Sequence, residues 1–365
     1  MNVFALPVIG QPKWEADTPA LLLDMAAVES NIDQMAVLFA DKPCKLRPHV
    51  KTHKLPLIAR MQLAAGAIGI TCAKLSEAQI FLEHGIRDIL IANEIVGAAK
   101  INRLVAMARY GRILICVDHA RNAEDLSRAA EKARVPLDVL VEVNVGLNRC
   151  GVAPGPPAVE LVQRVKRLPG LRFRGLMGYE GGLYIQDFET KRAECQRANR
   201  ALVSTRDLLV NAGIAVGIVS AGGSNTHDVT GVYPGITDVQ VGSYVTMDRH
   251  NEEFGLGFRQ ALSLLTTVIS RPEPSRAVID AGLKAISQDA GLPGCRQPGI
   301  SVTRLNEEHG HLRIENPASD LKPGDKVELI PSHGCTTIPL HDNYVLVRDG
   351  RIESVLPIAA RGAVF

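Results

Sequence analysis

Arg47-Pro48-His49-Val50-Lys51-Thr52-His53-Lys54 sets five basic side chains into eight positions, directly after a short apolar run. A solvated basic loop would account for such a stretch, and so would a catalytic amine. An amine crowded by other cations and partly desolvated is held neutral, and a neutral amine attacks carbonyls. Lys51 is the candidate for that role. The contributions of His49, His53 and Lys54 cannot be separated at this level.

Four other stretches could join it. Asn148-Arg149-Cys150-Gly151 carries a glycine-flanked arginine, and Tyr179-Glu180-Gly181-Gly182-Leu183-Tyr184 carries two tyrosines around paired glycines. In Gly222-Gly223-Ser224-Asn225-Thr226 the glycines allow close backbone approach, and the next three side chains add hydroxyl and amide donors. With the backbone N–H groups of Gly242 and Ser243, that makes a phosphate cradle, although a plain turn has the same composition. Near the C-terminus, Pro331-Ser332-His333-Gly334-Cys335 places an imidazole and a thiol two apart. An N,S pair suits Zn²⁺ better than Mg²⁺, and two ligands leave positions open for water or substrate. A surface histidine beside a buried cysteine is the plainer reading. His309 and His341 belong to the same region or to solvated turns.

The elements that must position these residues follow from the hydropathy pattern. Apolar β-branched runs alternate with longer amphipathic stretches, the pattern of repeated βα units. Eight candidate strands precede residue 245: Cys44–Val50, Ala67–Thr71, Asp88–Ala92, Arg112–Val117, Leu137–Val143, Phe173–Met177, Val216–Ser220 and Asp238–Val241. Helical patterns lie between them at Lys74–Glu83, Ala98–Arg109, Ala123–Ala133, Pro157–Arg167 and Phe188–Ala212. The expectation is an α/β fold, a TIM-type (β/α)8 barrel over residues 18–255, with a doubly wound open sheet as the competitor. Beyond it, strand-like runs separated by Pro/Gly turns predict a mostly β domain over 256–365 that carries the metal motif. Thr18–Asp24 either leads into the barrel or pairs with that C-terminal sheet, and residues 1–17 are expected to pack on the β domain.

Barrels of this kind place their chemistry in the loops after their strands. Lys51 follows the first strand, Arg149 the fifth, Tyr179 and Tyr184 the sixth, Gly222–Thr226 the seventh, and Gly242-Ser243-Tyr244 the eighth. A phosphate cradle together with a strand-end lysine suggests pyridoxal phosphate, an aldehyde held by its phosphate and by a Schiff base. Arg149 would then face the pyridine nitrogen, with Tyr179 or Tyr244 near the ring. An arginine there keeps the ring nitrogen unprotonated and weakens the electron sink, so electrophilic help from a metal becomes useful.

Composition excludes several classes. The 365 residues are 46% hydrophobic and 22% charged with a net charge of +2, which gives no electrostatic case for nucleic acid. No run approaches the about 18 apolar residues that span a membrane, and no signal peptide is apparent. The seven cysteines are scattered and odd in number, which fits reduced thiols in a cytoplasmic protein. No P-loop or dinucleotide fingerprint occurs.

Taken together, the motifs resemble the fold-type III pyridoxal-phosphate enzymes of the D-threonine aldolase / D-serine dehydratase group, which includes D-3-hydroxyaspartate dehydratases and aldolases. The resemblance runs through Arg47–Lys54, Asn148–Val152, Gly222–Thr226, Gly242–Tyr244, Asp280-Ala281-Gly282-Leu283-Lys284, Glu307–Gly310 and Pro331–Cys335. It implies an alanine-racemase-like barrel with Lys51 as the Schiff-base lysine and Arg149 as the pyridine partner. Gly222, Gly223, Ser224, Asn225, Thr226, Gly242 and Ser243 would bind the phosphate, and Tyr179 and Tyr244 would pack at the cofactor. His333 and Cys335 match the ligands of a divalent metal, Zn²⁺ first, with Mn²⁺ or Mg²⁺ as alternatives. Lys51, Tyr179 and Tyr184 make up the catalytic candidates. A homodimer acting on a small D-amino acid is implied.

Within the group, His-x-Cys and the tyrosine-bearing loop without histidine match the dehydratases, whereas Thr336–Asp342 and Ile358–Gly362 look more like the aldolases. The leading expectation is dehydration of a D-3-hydroxy amino acid to a 2-oxo acid and ammonia. Retro-aldol cleavage to glycine and an aldehyde is the close alternative. A racemase and a non-catalytic cofactor carrier stand further off.

Overall fold

The computed structural model describes residues 8–316 and 320–365. Along the first two thirds of the chain run β1 (Ala20–Asp24), α1 (Met25–Phe39), β2 (Lys45–Leu46), α2 (Pro56–Ala64), β3 (Ile70–Cys72), α3 (Leu75–Glu83), β4 (Asp88–Glu94), α4 (Ala98–Met107), β5 (Arg112–Val117), α5 (Ala120–Ala133), β6 (Leu137–Glu142), α6 (Pro156–Lys166), β7 (Leu171–Met177), α7 (Phe188–Asn211), β8 (Ile218–Ala221), α8 (His227–Thr230) and β9 (Asp238–Val239). Among the described residues, those up to Gln34 join Ser243–Gly362 in one compact unit, and Met35–Gly242 joins Ala363–Phe365 in another.

In the second unit, β2 to β9 are all parallel and pair in the order β2-β9-β8-β7-β6-β5-β4-β3. The two ends of that path meet. The Ile68 N–H donates to the Leu46 carbonyl at 2.9 Å, Thr71 N–H to Pro48 at 2.8 Å, and Val50 N–H to Thr71 at 2.9 Å. The sheet is therefore a closed barrel and has no free edges, which decides against the doubly wound alternative. All six residues of β6 are buried, as expected for a parallel strand covered on both faces. Leu90, Leu114, Cys116, Leu140 and Met177 make up one cluster of its core.

One polar plug interrupts this apolar filling. Arg47 is 2% exposed and pairs with Asp88 and, at 3.7 Å, with Asp238. Gly69 lies against its guanidinium, where a Cβ would find no room. Helix α2, which opens on Pro56 in its first turn, was not apparent from the sequence because it follows so closely on the basic stretch.

The other unit contains β10 (Leu262–Glu273), β11 (Arg276–Ile279), β12 (Gly294–Cys295), β13 (Ile300–Leu305), β14 (Gly310–Ile314), β15 (Lys326–Ile330), β16 (Asn343–Arg348) and β17 (Arg351–Pro357). The sheet order is β13-β14-β11-β10-β1-β16-β17, with β15 pairing with β10 and β12. Strand β1 lies antiparallel to β10 and parallel to β16, so Thr18–Asp24 belongs with the C-terminal sheet. Residues 8–17 run beside β17, with Gly10 N–H on the Ile352 carbonyl and Ile352 N–H on Gln11, both at 2.8 Å. Residues 1–7 lie outside the described residues. Asp349 and Gly350 both have positive φ, 50° and 75°, the two-residue turn that joins β16 to β17. All seven cysteines are free thiols. Among the described residues, no helix is long and apolar enough to cross a membrane.

Candidate active site

The basic stretch splits into separate jobs. Arg47 goes to the plug described above. Lys54, at φ 54°, forms a buried ion pair with Glu77 at 2.9 Å, and the other oxygen of Glu77 accepts the Ala73 N–H at 2.7 Å. His53 is fully buried edge-on to Phe81, with Nδ1 accepting the Leu55 N–H at 3.1 Å. Burial pushes its pKa down to about 3. Desolvation, joined by the charges of Lys51, Arg149 and Lys54, drives the His49 imidazole well below its usual value as well. His49 is therefore a neutral base, and its Nδ1 takes the Lys51 backbone N–H at 3.5 Å. Among the described residues, the Lys51 side chain makes no ion pair or side-chain hydrogen bond. It is the one amine of the stretch left available for chemistry.

The remaining barrel candidates form a contiguous rim with Lys51. Val241 and Gly242 sit against the first strand end. The His49 N–H donates to Val241 at 2.8 Å, and a Cβ on Gly242 would come within 3.0 Å of the His49 carbonyl. The Gly242 N–H donates to Ser224 Oγ at 3.0 Å, which joins the eighth loop to the seventh. Gly223 faces the Tyr179 ring, 3.5 Å from where its Cβ would lie, and the Arg149 guanidinium stands 5.5 Å from the centroid of the same ring. Arg149 in turn contributes to the field at His49, which completes the circuit.

Three side chains given no role in the sequence hold this rim. Asn144 Oδ1 accepts the N–H groups of Gly146 and Asn148, both at 3.1 Å, and Asp118 accepts that of Gly151 at 3.1 Å. Those bonds shape the loop that presents Arg149. Glu180, buried, accepts the Thr226 hydroxyl at 2.5 Å and the Gly222 N–H at 3.3 Å. Burial raises its carboxyl pKa, and the same hydrogen bonds oppose that. Asn225 Nδ2 ties the loop to the carbonyls of Gly182 and Leu183 at 2.6 and 3.0 Å. Tyr184 folds back over Gly182 and is 47% exposed.

An acidic group also missed lies nearby. Glu94, Asp118 and Cys150 bring ligand atoms within 4.8 Å of one another. Glu142 lies close to Glu94, and burial followed by the Glu94 charge raises its pKa to about 8. The legible signal was register: Glu94 ends β4, Glu142 ends β6, and Asp118 follows β5 by one residue.

Ser243 and Tyr244 are counted with the β unit. There the Ser243 hydroxyl reaches Asn251 Oδ1 at 3.3 Å, and Tyr244 is buried with its ring 5.4 Å from that of Phe258. The neighbouring Cys335 thiol, against desolvation, raises the His333 imidazole pKa to about 9. Their N and S atoms thus converge, as a shared divalent ion would need. His309 is exposed in the turn between β13 and β14, and His341 Nε2 is engaged by the Ala285 carbonyl at 2.7 Å. Neither joins His333.

The donor set in the barrel fits a phosphorylated aromatic aldehyde. It offers a free amine, a guanidinium over a tyrosine ring, a neutral imidazole, and a glycine-opened loop bearing hydroxyls.

Comparison with known proteins agrees with this reading. Residues 23–250 match the model of the alanine racemase N-terminal domain, and residues 261–347 match that of a serine dehydratase domain. The chain is 42% identical over 362 residues to a D-threonine aldolase of Arthrobacter sp., covering 97% of this chain and 95% of the relative. The crystal structure of a D-threonine aldolase from Filomicrobium marinum superposes with a TM-score of 0.96 at 38% identity, covering 99% of this chain and 100% of the other. D-threo-3-hydroxyaspartate dehydratase from Delftia sp. HT23 superposes with a TM-score of 0.85 at 27% identity, covering 95% and 98%.

Proposed function

The chain belongs to the family of the alanine racemase N-terminal domain and is a pyridoxal-phosphate-dependent lyase, and on that premise we propose that it cleaves the Cα–Cβ bond of D-3-hydroxy amino acids to give glycine and an aldehyde. The observation that carries this choice is the near end-to-end alignment with an aldolase, at an identity well above that of the dehydratase. It reverses the order reached from motifs alone. Dehydration stays as the second reading because His333 and Cys335 and the histidine-free loop Tyr179–Tyr184 favour it.

Bound pyridoxal phosphate supplies an electron sink for the pair left on Cα when a bond there breaks. Lys51 would hold its aldehyde carbon, Arg149 would lie at the pyridine nitrogen, and Gly222–Thr226 with Gly242 and Ser243 would take the phosphate. A divalent ion held by His333 and Cys335 would supply Lewis acidity. The chain's own groups then handle protons and position. The His49 imidazole, held neutral by burial and its cationic neighbours, would serve as a proton carrier beside Lys51. Lys51, once its amine has taken up the proton lost from the 3-hydroxyl, would deliver it as an ammonium to Cα after the aldehyde has left. Glu180 and Asn144 keep the two loops in place while this happens.

Incubation with D-threonine, D-serine and D-3-hydroxyaspartate followed by product analysis tests the proposal. Glycine with the matching aldehyde supports cleavage. Ammonia with a 2-oxo acid transfers the reading to dehydration, and appearance of the L-enantiomer alone would support a racemase. A homodimer is also proposed, and light scattering measures it directly.

A further inference from the structure

His333 is held by more than its own backbone. Its Nδ1 lies 2.8 Å from Asp289 Oδ2, and Asp289 Oδ1 accepts the hydroxyls of Ser287 and Thr336, each at 2.8 Å. The segment around Asp289 is itself fastened to the metal motif. The Ser287 N–H donates to Thr337 Oγ1 at 3.2 Å, the Thr337 hydroxyl to the His333 carbonyl at 2.9 Å, and the buried Ser332 hydroxyl to the Ser287 carbonyl at 3.3 Å. On the far side of the motif, the Gly334 N–H donates to the buried Asp248 at 2.8 Å. Three hydrogen bonds converge on one carboxylate whose only imidazole partner is a candidate metal ligand. The Asp289 side chain is 44% exposed, yet all three partners lie on the metal motif or on the segment fastened to it.

We propose that Asp289 is the positioning residue of the metal site: by accepting Nδ1–H it fixes His333 in the tautomer whose Nε2 lone pair is free to bind the ion beside Cys335. A carboxylate in this place orients the ring and raises its basicity as a ligand. Ser287 and Thr336 hold the carboxylate so that its second oxygen stays turned to the ring. The inference rests on the assignment of His333 and Cys335 as metal ligands, and its test separates the two.

The experiment uses full-length, cofactor-loaded protein stripped of metal with a chelator. Zn²⁺ is titrated against a competing fluorescent chelator in wild type, Asp289→Ala, Asp289→Asn and His333→Ala. Co²⁺ substitution adds a spectrum that reports thiolate ligation and coordination geometry without turnover. Removal of the Asp289 carboxylate should weaken Zn²⁺ binding about 10–100-fold while the cofactor absorbance stays in place. Asp289→Asn should fall between, since its amide oxygen can still accept Nδ1–H while the two hydroxyls turn to accept from its NH₂. His333→Ala should abolish binding at this site. Wild-type Zn²⁺ affinity and an unchanged Co²⁺ spectrum in Asp289→Ala, with binding lost in His333→Ala, would overturn the role of Asp289 alone. Wild-type affinity in His333→Ala would overturn the metal assignment and the inference with it. Should Asp289→Ala fail to fold, the Asp289→Asn affinity decides: equality with wild type, spectrum included, counts against the proposal.

Discussion

Replacing Glu180 probes the site where the structure says most about preorganisation. The side chain is buried and accepts two hydrogen bonds from the glycine-rich loop, Thr226 Oγ1 at 2.5 Å and Gly222 N–H at 3.3 Å. A third approach, from the Thr230 hydroxyl, is too long at 3.5 Å to count for much. Glu180→Ala strands two donors, each costing about 1–3 kcal/mol when left buried and unpaired, so a loss of about 2–6 kcal/mol is expected. Glu180→Gln keeps an acceptor for Gly222, and the Thr226 hydroxyl can turn to accept from the new amide. Burial raises the carboxyl pKa while these hydrogen bonds oppose it, and the glutamine variant, which keeps both contacts, should lie within about 1 kcal/mol of wild type. The assay pairs urea denaturation with a cofactor titration followed by visible absorbance. In Glu180→Ala the urea midpoint falls, and cofactor affinity drops about tenfold for each 1.4 kcal/mol of loop ordering lost. An alanine variant with the wild-type midpoint and affinity would refute the bracing role. A glutamine variant as damaged as the alanine one would refute the claim that hydrogen bonds rather than charge brace the loop.

Three further outcomes follow from the same geometry. His53 has a folded pKa of about 3, below its unfolded value, so it binds a proton more readily in the unfolded chain. Its contribution to stability is therefore lost as pH falls below about 6.5, and between about pH 7 and pH 5 wild type should lose about 2 kcal/mol more than His53→Asn, read from urea midpoints. Arg47→Met leaves Asp238 buried without its cation, and denaturation should show a loss of about 3–5 kcal/mol; no change would mean that the plug is dispensable. Chelator treatment should abolish lyase activity and Zn²⁺ or Mn²⁺ restore it, whereas full activity without metal would favour racemisation.

Much of the barrel was legible because parallel strands buried on both faces read as apolar runs, as in Leu137–Glu142. Closure was not, since it depends on β2 finding β9 across almost two hundred residues, through a register of only Lys45 with Asp238 and Leu46 with Val239. The basic stretch showed a similar limit. Residues 47, 49 and 51 read as one cluster, yet Arg47 turns to Asp88 and Asp238 while His49 lies in the field of Lys51 and Arg149. Lys54 finds Glu77 in the next βα unit, a partner that no local pattern announces. The metal motif was readable because His333 and Cys335 are two apart. Asp289 was invisible for the opposite reason, lying 44 positions from the histidine it holds. Glu180 escaped notice because its partners, Gly222 and Thr226, belong to a different loop. β13 and β14 were also passed over, their short alternating runs being interrupted by Asn306–His309.

The central claim is that one amine, Lys51, carries the cofactor. Borohydride reduction of the cofactor-loaded protein, followed by peptide mapping, reads it directly by fixing the covalent link where it stands. The mass addition should fall on Lys51, and Lys51→Ala should lose both the addition and the visible absorbance. A label on Lys54, or an alanine variant that keeps its colour, would contradict the account.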